Sequence, residues 1–154
     1  MEAFLFRRAM SKDLAAIIEL LADDKLSKKR EKLEEGHKAL YQKAFDQIQS
    51  DQNQSLMVVE KEKEVIAMCH LTFMPSLTFN GAMRMNIEAV RVSSELRGQK
   101  VGEWMIKKAV AIATKKGCHI VQLTTNKKRV QAKKFYENLG FDATHEGMKL
   151  YLSR

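Results

Sequence analysis

The chain has 154 residues, 45% hydrophobic and 30% charged, which suits one soluble domain with its own core. Its longest apolar runs fall far short of a membrane span, its first ten residues are too few and too charged for a signal peptide, and two cysteines cannot build a disulfide scaffold, so the expectation is a cytoplasmic protein with no membrane partner. The net charge of +8 calls for something anionic without saying whether it is nucleic acid, a phosphate-bearing cofactor or an acidic surface.

In chain order, Phe4 to Ala9 reads as a strand. Ser11 offers an N-cap, with Asp13 in the first turn, and Leu14, Ile17, Ile18 and Leu21 follow at helical spacing. Asp23-Asp24 breaks that pattern. Residues 28–50 predict a second, highly charged helical region with sparse apolar positions and Gly36 as an interruption. "SLMVVE" and "VIAMCHLTFM" are strands joined by the polar turn "KEKE". Asn80-Gly81 is a hairpin-turn signal, and "RMNIEAVRVSS" is the strand after it. A helix from Val101 to Lys116 buries Val101, Trp104, Met105, Ala109, Ile112 and Ala113 on one face and ends at Gly117. "HIVQLTT" is a strand, "KKRVQAKKFYENLG" a helix stopping at Gly140, and "FDATHEGMKLYL" two short strands turning at Glu146-Gly147. No linker or repeat divides the chain, so residues 1–154 form one domain. Hairpin logic makes the central strands antiparallel, and the strand-helix-strand step after Arg91 demands a parallel crossover. The predicted fold is α/β (α+β), with a mixed, mostly antiparallel sheet and helices on both faces.

The stretch Arg97-Gly98-Gln99-Lys100-Val101-Gly102 stands between a strand and a helix. Cations at the positive end of a helix are misplaced unless something negative docks there. Glycines admit a ligand close to the backbone, and free amides at a helix N-terminus bind phosphate. Arg97 and Lys100 would add charge-assisted contacts. Glu103 and Trp104 follow Gly102 where a nucleoside-triphosphate loop needs Lys and Ser/Thr, and the dinucleotide fingerprint is absent. That leaves a pyrophosphate held without a dedicated metal. Cys69-His70 and Cys118-His119 put adjacent side chains on opposite faces of a strand, which argues against a metal site and for packed thiols.

These residues resemble the GNAT superfamily of acetyl-CoA-dependent N-acetyltransferases. The loop is similar to the signature [Q/R]-x-x-G-x-[G/A], with Arg97 and Gly102 at the outer positions and Lys100 where the family has its middle glycine. "IEAVRV" resembles the family's fourth strand, and Asn126 with "FYENLGF" its fourth helix and closing strand. The order of elements agrees from Phe4 to Leu152. The resemblance implies acetyl-CoA as acetyl donor and no metal. Backbone groups of Val90 and Val92 would pair with the pantetheine arm. Amides of Arg97, Gly98, Gln99, Lys100, Val101 and Gly102 would hold the pyrophosphate, and Asn126 would contact the pantetheine region. Glu88 stands where many members carry a general base, and Tyr136 where a side chain meets the departing thiolate. A protonated amine cannot attack a thioester until a carboxylate takes its proton, and direct transfer needs no cysteine nucleophile.

Glu88 also fits a solvated carboxylate beside Arg84 or Arg91, and Tyr136 a packing aromatic. Asp23, Asp24, Glu34 and Glu35 could draw a cationic acceptor or form a solvated face. His145 reads as a turn residue and His37 as a solvated one. The implied function is transfer of acetyl to a primary amine, with no nucleic acid expected. The alternatives are a basic nucleic-acid-binding module using "NKKRVQAKKFY" and a non-catalytic acetyl-CoA-binding family member. A homodimer is open to this fold, since a sheet edge or terminal strand can pair.

Overall fold

The computed structural model describes residues 3–24 and 35–153. Five strands lie in the order β1-β2-β3-β4-β5: β1 (Leu5–Arg8), β2 (Gln54–Lys61), β3 (Glu64–Met74), β4 (Arg84–Val92) and β5 (Ile120–Gln122). Neighbours are antiparallel from β1 to β4, and β5 runs parallel to β4. The parallel step passes through helix α4 (Val101–Lys115), the crossover that such a pair requires. The mixed, mostly antiparallel sheet expected from the sequence is the one that forms.

Both faces are covered. Leu56, Val58 and Met68 point to one side and pack with Ile17, Leu20 and Phe45, from helices α1 (Leu14–Ala22) and α2 (Glu35–Ser50). Met57, Val59, Cys69, Leu71, Met85 and Ile87 point to the other and pack with Val101, Met105, Ile106 and Ala109 of α4. Strands buried on two faces read as continuous apolar runs, which is how "LMVV" reads. The β2–β3 turn places Glu62 at φ 50° and Lys63 at φ 69°, the paired left-handed geometry that follows the twist of a tight hairpin.

Several local expectations give way to tertiary chemistry. The cap assigned to Ser11 is supplied by Asp13, whose carboxylate accepts the Met10 N–H at 2.7 Å. Asp13 is 4% exposed and ion-pairs with Arg7 at 2.7 Å, while Arg7 also reaches Glu60 at 2.7 Å. Gly36 lies inside α2 and does not interrupt it; residues 28–34 of the predicted region lie outside the described residues. The Asn80-Gly81 signal falls in a longer connection. It holds a four-residue turn, α3 (Thr78–Gly81), with Phe79 and Asn80 left-handed at φ 51° and 58°. Helix α5 (Val130–Asn138) starts three residues later than predicted, because Asn126 Oδ1 accepts the Lys128 N–H at 2.9 Å and closes a side-chain turn that competes with helix. The two closing strands predicted over residues 141–152 do not form: the segment carries no sheet pairing.

Candidate active site

The site grows from an irregularity in β4. Opposite β3, His70 pairs with Glu88 and Met68 with Arg91, so Ala89 and Val90 together oppose the one residue between, Cys69. This is a β-bulge, and it holds Ala89 at φ 52°, a conformation that re-aims the strand. On the other edge β5 pairs only with Arg84, Met85 and Asn86. Beyond them, that edge of β4 from Ile87 to Val92 faces no strand among the described residues. Val90 and Val92 therefore lie on a stretch of strand able to take an added one.

The open edge runs to the N-terminus of α4. The first intrahelical bond there is Trp104 N–H to Lys100 C=O at 3.0 Å, so the amides of Val101, Gly102 and Glu103 precede the helical ladder. Lys100 is the N-cap, at φ 64° and ψ 11°, and Gly98 is left-handed at φ 80°. A Cβ on Gly102 would lie 3.5 Å from both Val92 Cγ2 and Phe135 Cζ. The loop, the end of β4 and α5 thus converge at Gly102.

Tyr136 follows on α5, its ring edge-on to Phe135 at 5.1 Å and to Phe141 at 5.8 Å. Burial pushes its phenol up to about 12, against the opposing pull of Arg91 and Arg129. Glu88 is exposed and faces His70 across the strands. His70 Nε2 lies 2.8 Å from Gln54 Oε1, and burial lowers the imidazole pKa although Glu88 works against it. The Gln54 oxygen selects the tautomer protonated at Nε2. Asn126 is exposed before the start of α5, its side-chain oxygen held by the turn.

The end of α1 forms the rim. Arg97 donates from Nη2 to the Asp23 carbonyl at 2.6 Å and from Nε to the Val92 carbonyl at 3.3 Å. Its guanidinium is 3.7 Å from the Asp23 carboxylate, which also accepts the Ser94 N–H at 3.2 Å. Asp24 pairs with Arg129 and lies 3.8 Å from Arg91. The sequence offered Asp23 and Asp24 as a lure for a cationic acceptor; the structure spends them on arginines that tie α1 to β4 and α5. It also turns the Arg97 side chain toward α1, leaving Lys100 and the backbone amides at the loop. Glu34 lies outside the described residues, and the Glu35 side chain is likewise outside them.

Glu88, Val90, Val92, the 97–102 loop and Tyr136 therefore lie along one strand edge and the helix ends that meet it, with Asn126 at its margin. His70 and the Arg91–Asp24–Arg129 cluster escaped the sequence reading. Strand alternation puts His70 on the face opposite Cys69, and only the β3–β4 register shows that it meets Glu88. Cys69 is buried, with its thiol pushed up to about 12 by burial; burial also raises Cys118. Neither favours the thiolate a nucleophile needs. No group of three or more His, Cys, Asp or Glu gathers for a metal ion among the described residues. No helix among them is long and apolar enough to cross a membrane.

The structure thus joins an open strand edge to the amides at the start of α4, in a mixed α/β sheet. The model of the Acetyltransferase (GNAT) family matches residues 14–141, and the chain belongs to that family of acyltransferases. A transcriptional regulator from Bacillus halodurans C-125 is 41% identical, with a TM-score of 0.94 over 97% of this chain and 100% of the other. Glucosamine-6-phosphate N-acetyltransferase from Arabidopsis thaliana shares the fold at 23% identity and a TM-score of 0.79, over 99% and 100% of the two chains. So does a Clostridium acetobutylicum protein, described as a predicted acetyltransferase and solved with acetyl-CoA, at 19% identity and a TM-score of 0.75 over 97% and 96%. No curated protein matched the sequence.

Proposed function

We propose that the protein moves an acetyl group from acetyl-CoA to a primary amine by direct transfer. The observation carrying this reading is the convergence at Gly102 of the open β4 edge, the α4 N-terminus and the helix bearing Tyr136. The backbone of Val90 and Val92 lines the pantetheine arm, and Asn126 offers its NH2 beside it. Amides of Gly98, Lys100, Val101 and Gly102 take the pyrophosphate, with the Lys100 cation alongside, while the Gln99 N–H donates to the Leu96 carbonyl at 3.3 Å. Arg97 contributes its backbone, since Asp23 holds its side chain.

Glu88 takes the proton from the ammonium form of the acceptor, directly or through one water. The amine nitrogen then bonds to the thioester carbonyl carbon, the carbon–sulfur bond breaks, and one of the two remaining N–H protons passes through water to the departing thiolate, leaving an amide and the free coenzyme A thiol. Tyr136 meets the thiolate. A phenol at about 12 set against a thiol near 8.5 makes full proton transfer uphill by roughly 5 kcal/mol. Tyr136 therefore acts chiefly by donating a hydrogen bond to the developing charge. Neither nucleic acid nor membrane enters this scheme, which suits a cytoplasmic enzyme.

The test is calorimetric titration with acetyl-CoA, then an amine panel read by thiol release. Micromolar binding is expected. Glu88→Gln should lose about 100-fold or more in kcat at unchanged acetyl-CoA affinity. Folded, coenzyme-free protein that fails to bind acetyl-CoA sinks the proposal.

The 41% identical neighbour's description as a transcriptional regulator favours a second reading, a basic nucleic-acid-binding protein. Exposed Lys128 precedes α5 and exposed Lys134 lies on it, although Lys127 pairs with Glu146 at 3.0 Å. This reading requires DNA or RNA binding that weakens steeply with salt. Acetyl-CoA binding without turnover of any amine would instead mark a non-catalytic family member.

A further inference from the structure

Arg84 is the least explained charge in the molecule. It is half-buried, and its Nε lies out of water with no hydrogen-bond partner among the described residues. Its one bond is long, from Nη1 to Gln122 Oε1 at 3.4 Å. A guanidinium partly withdrawn from water costs free energy unless an anion meets it, and no carboxylate among the described residues pairs with this one.

Its surroundings are polar and mostly neutral. Gln54, Thr72, Asn86 and Gln122 stand opposite one another on β2, β3, β4 and β5, so they form one row on one face of the sheet. All four are half-buried. His70 and Glu88 make the next row of that face, beside Leu56, where the cover of α1 and α2 begins. A hydrated sheet face accounts for the neutral side chains; it does not account for Arg84. Alternation along β4 puts Arg84, Asn86 and Glu88 on this same face. Arg84 is in register with Ile120, and Asn86 with Gln122. In reaching Gln122 the guanidinium therefore leans along β4 toward Glu88. Asn86 lies two residues short of Glu88, roughly 7 Å along the strand.

We propose that the acceptor carries, about 7 Å from its amine, an anionic group, a carboxylate or a phosphate, which Arg84 holds together with the carboxamides of Gln122 and Asn86. This rests on the reading of Glu88 and the open β4 edge as an acetyl-transfer site, and it names the class of amine that site takes. A guanidinium meets either anion through two parallel N–H bonds. The chemistry at nitrogen is unchanged: Glu88 meets the ammonium end, while the anion stays with Arg84 and takes no part in the transfer. Arg84 thus selects the substrate. An α-amino acid, whose two charges are adjacent, does not span from Arg84 to Glu88, whereas an extended chain of about six bonds does.

The test compares hexylamine, ω-aminohexanoate and ω-aminohexyl phosphate by thiol release at saturating acetyl-CoA. At least one anionic amine should exceed hexylamine in kcat/KM by about tenfold or more, chiefly through KM, and the better of the two identifies the anion. Glycine should be a poorer substrate than ω-aminohexanoate. Arg84→Met should erase the preference and Arg84→Lys restore part of it, with circular dichroism unchanged; the wild-type comparison stands even if Arg84→Met fails to fold. Turnover of all these amines without preference, or a preference that survives Arg84→Met, overturns the proposal and leaves acetyl transfer standing. Should no amine turn over, the transfer reading fails, and the anion site is read separately by nuclear magnetic resonance of isotope-labelled protein. The Arg84 Nε–H signal should then still shift with ω-aminohexanoate or ω-aminohexyl phosphate and not with hexylamine; a signal that neither anion moves overturns the site as well.

Discussion

Lys100 offers a clean separation of backbone geometry from charge. Its φ of 64° and ψ of 11° are left-handed, where a Cβ costs about 1–2 kcal/mol. Lys100→Ala keeps the Cβ and that strain, whereas Lys100→Gly removes both. Glycine also gives the unfolded chain more freedom, a cost of about 0.4–1 kcal/mol. The glycine variant should therefore be more stable than the alanine one by roughly 0.5–1 kcal/mol, or about 1–4 °C in Tm for a chain of this length. Both variants lose the same cation, so acetyl-CoA affinity should fall alike in both, by about fivefold for an exposed charge. Differential scanning calorimetry and titration calorimetry read the two effects apart. An alanine variant as stable as the glycine one would refute the left-handed N-cap, and unequal losses of affinity would refute the claim that Lys100 acts through its charge.

Asp13→Asn takes from Arg7 one of its two carboxylate partners and leaves it Glu60; a loss of about 1–2 kcal/mol is expected in urea unfolding. The Arg7 hydrogen bond holds the Asp13 carboxyl below its ordinary range. The wild type should therefore keep this stability above pH ~4 and lose it as pH falls toward the lower folded value, a slope that the variant should lack. Gly102→Ala places its methyl in ordinary contact with Val92 and Phe135, so stability should stay within about 1 kcal/mol of wild type by denaturant titration. Tyr136→Phe should lower kcat about 100-fold with little change in acetyl-CoA affinity. With the phenol held near 12, the wild-type rate should show no Tyr136 ionisation below about pH 11 in a stopped-flow pH profile.

What the sequence revealed depended on whether the determinant was local. β2, β3 and α4 were legible because both faces of the sheet are covered and the apolar runs are long. The 97–102 loop was legible because its glycines and cations are adjacent in the chain. The cap before α1 was misread because Asp13, which accepts the Met10 N–H, is held in place by Arg7, and Arg7 by Glu60 on a neighbouring strand. The fates of Asp23, Asp24 and Arg97 were hidden for the same reason, since their partners lie about 70 to 105 residues apart in the chain. The tail reads as strand by every local rule, and its alternation is real. What it lacks is a pairing partner among the described residues.

The bulge at Ala89 links these features. A regular β4 would carry its alternation unbroken from Glu88 to Val92. The extra residue at Ala89 and Val90, with Ala89 left-handed, resets the alternation just after Glu88. The strand thus splits into a proximal part paired to β5 and a distal part whose edge is open. Glu88 stands at the division, and the distal part runs straight to Gly102. One backbone irregularity therefore places Glu88 at the head of the open edge and the α4 N-terminus at its foot. Its cost is local: a left-handed non-glycine residue, about 1–2 kcal/mol. The surrounding core, with Ile87 and Cys69 almost fully buried, over-determines the strand and offsets that cost. Ala89→Gly should accordingly leave the fold intact and stabilise it slightly, whereas Ala89→Val, branched at Cβ in the same conformation, should lower Tm by several degrees and weaken acetyl-CoA binding together. A valine variant with unaltered stability and binding would show that the bulge does not set the site.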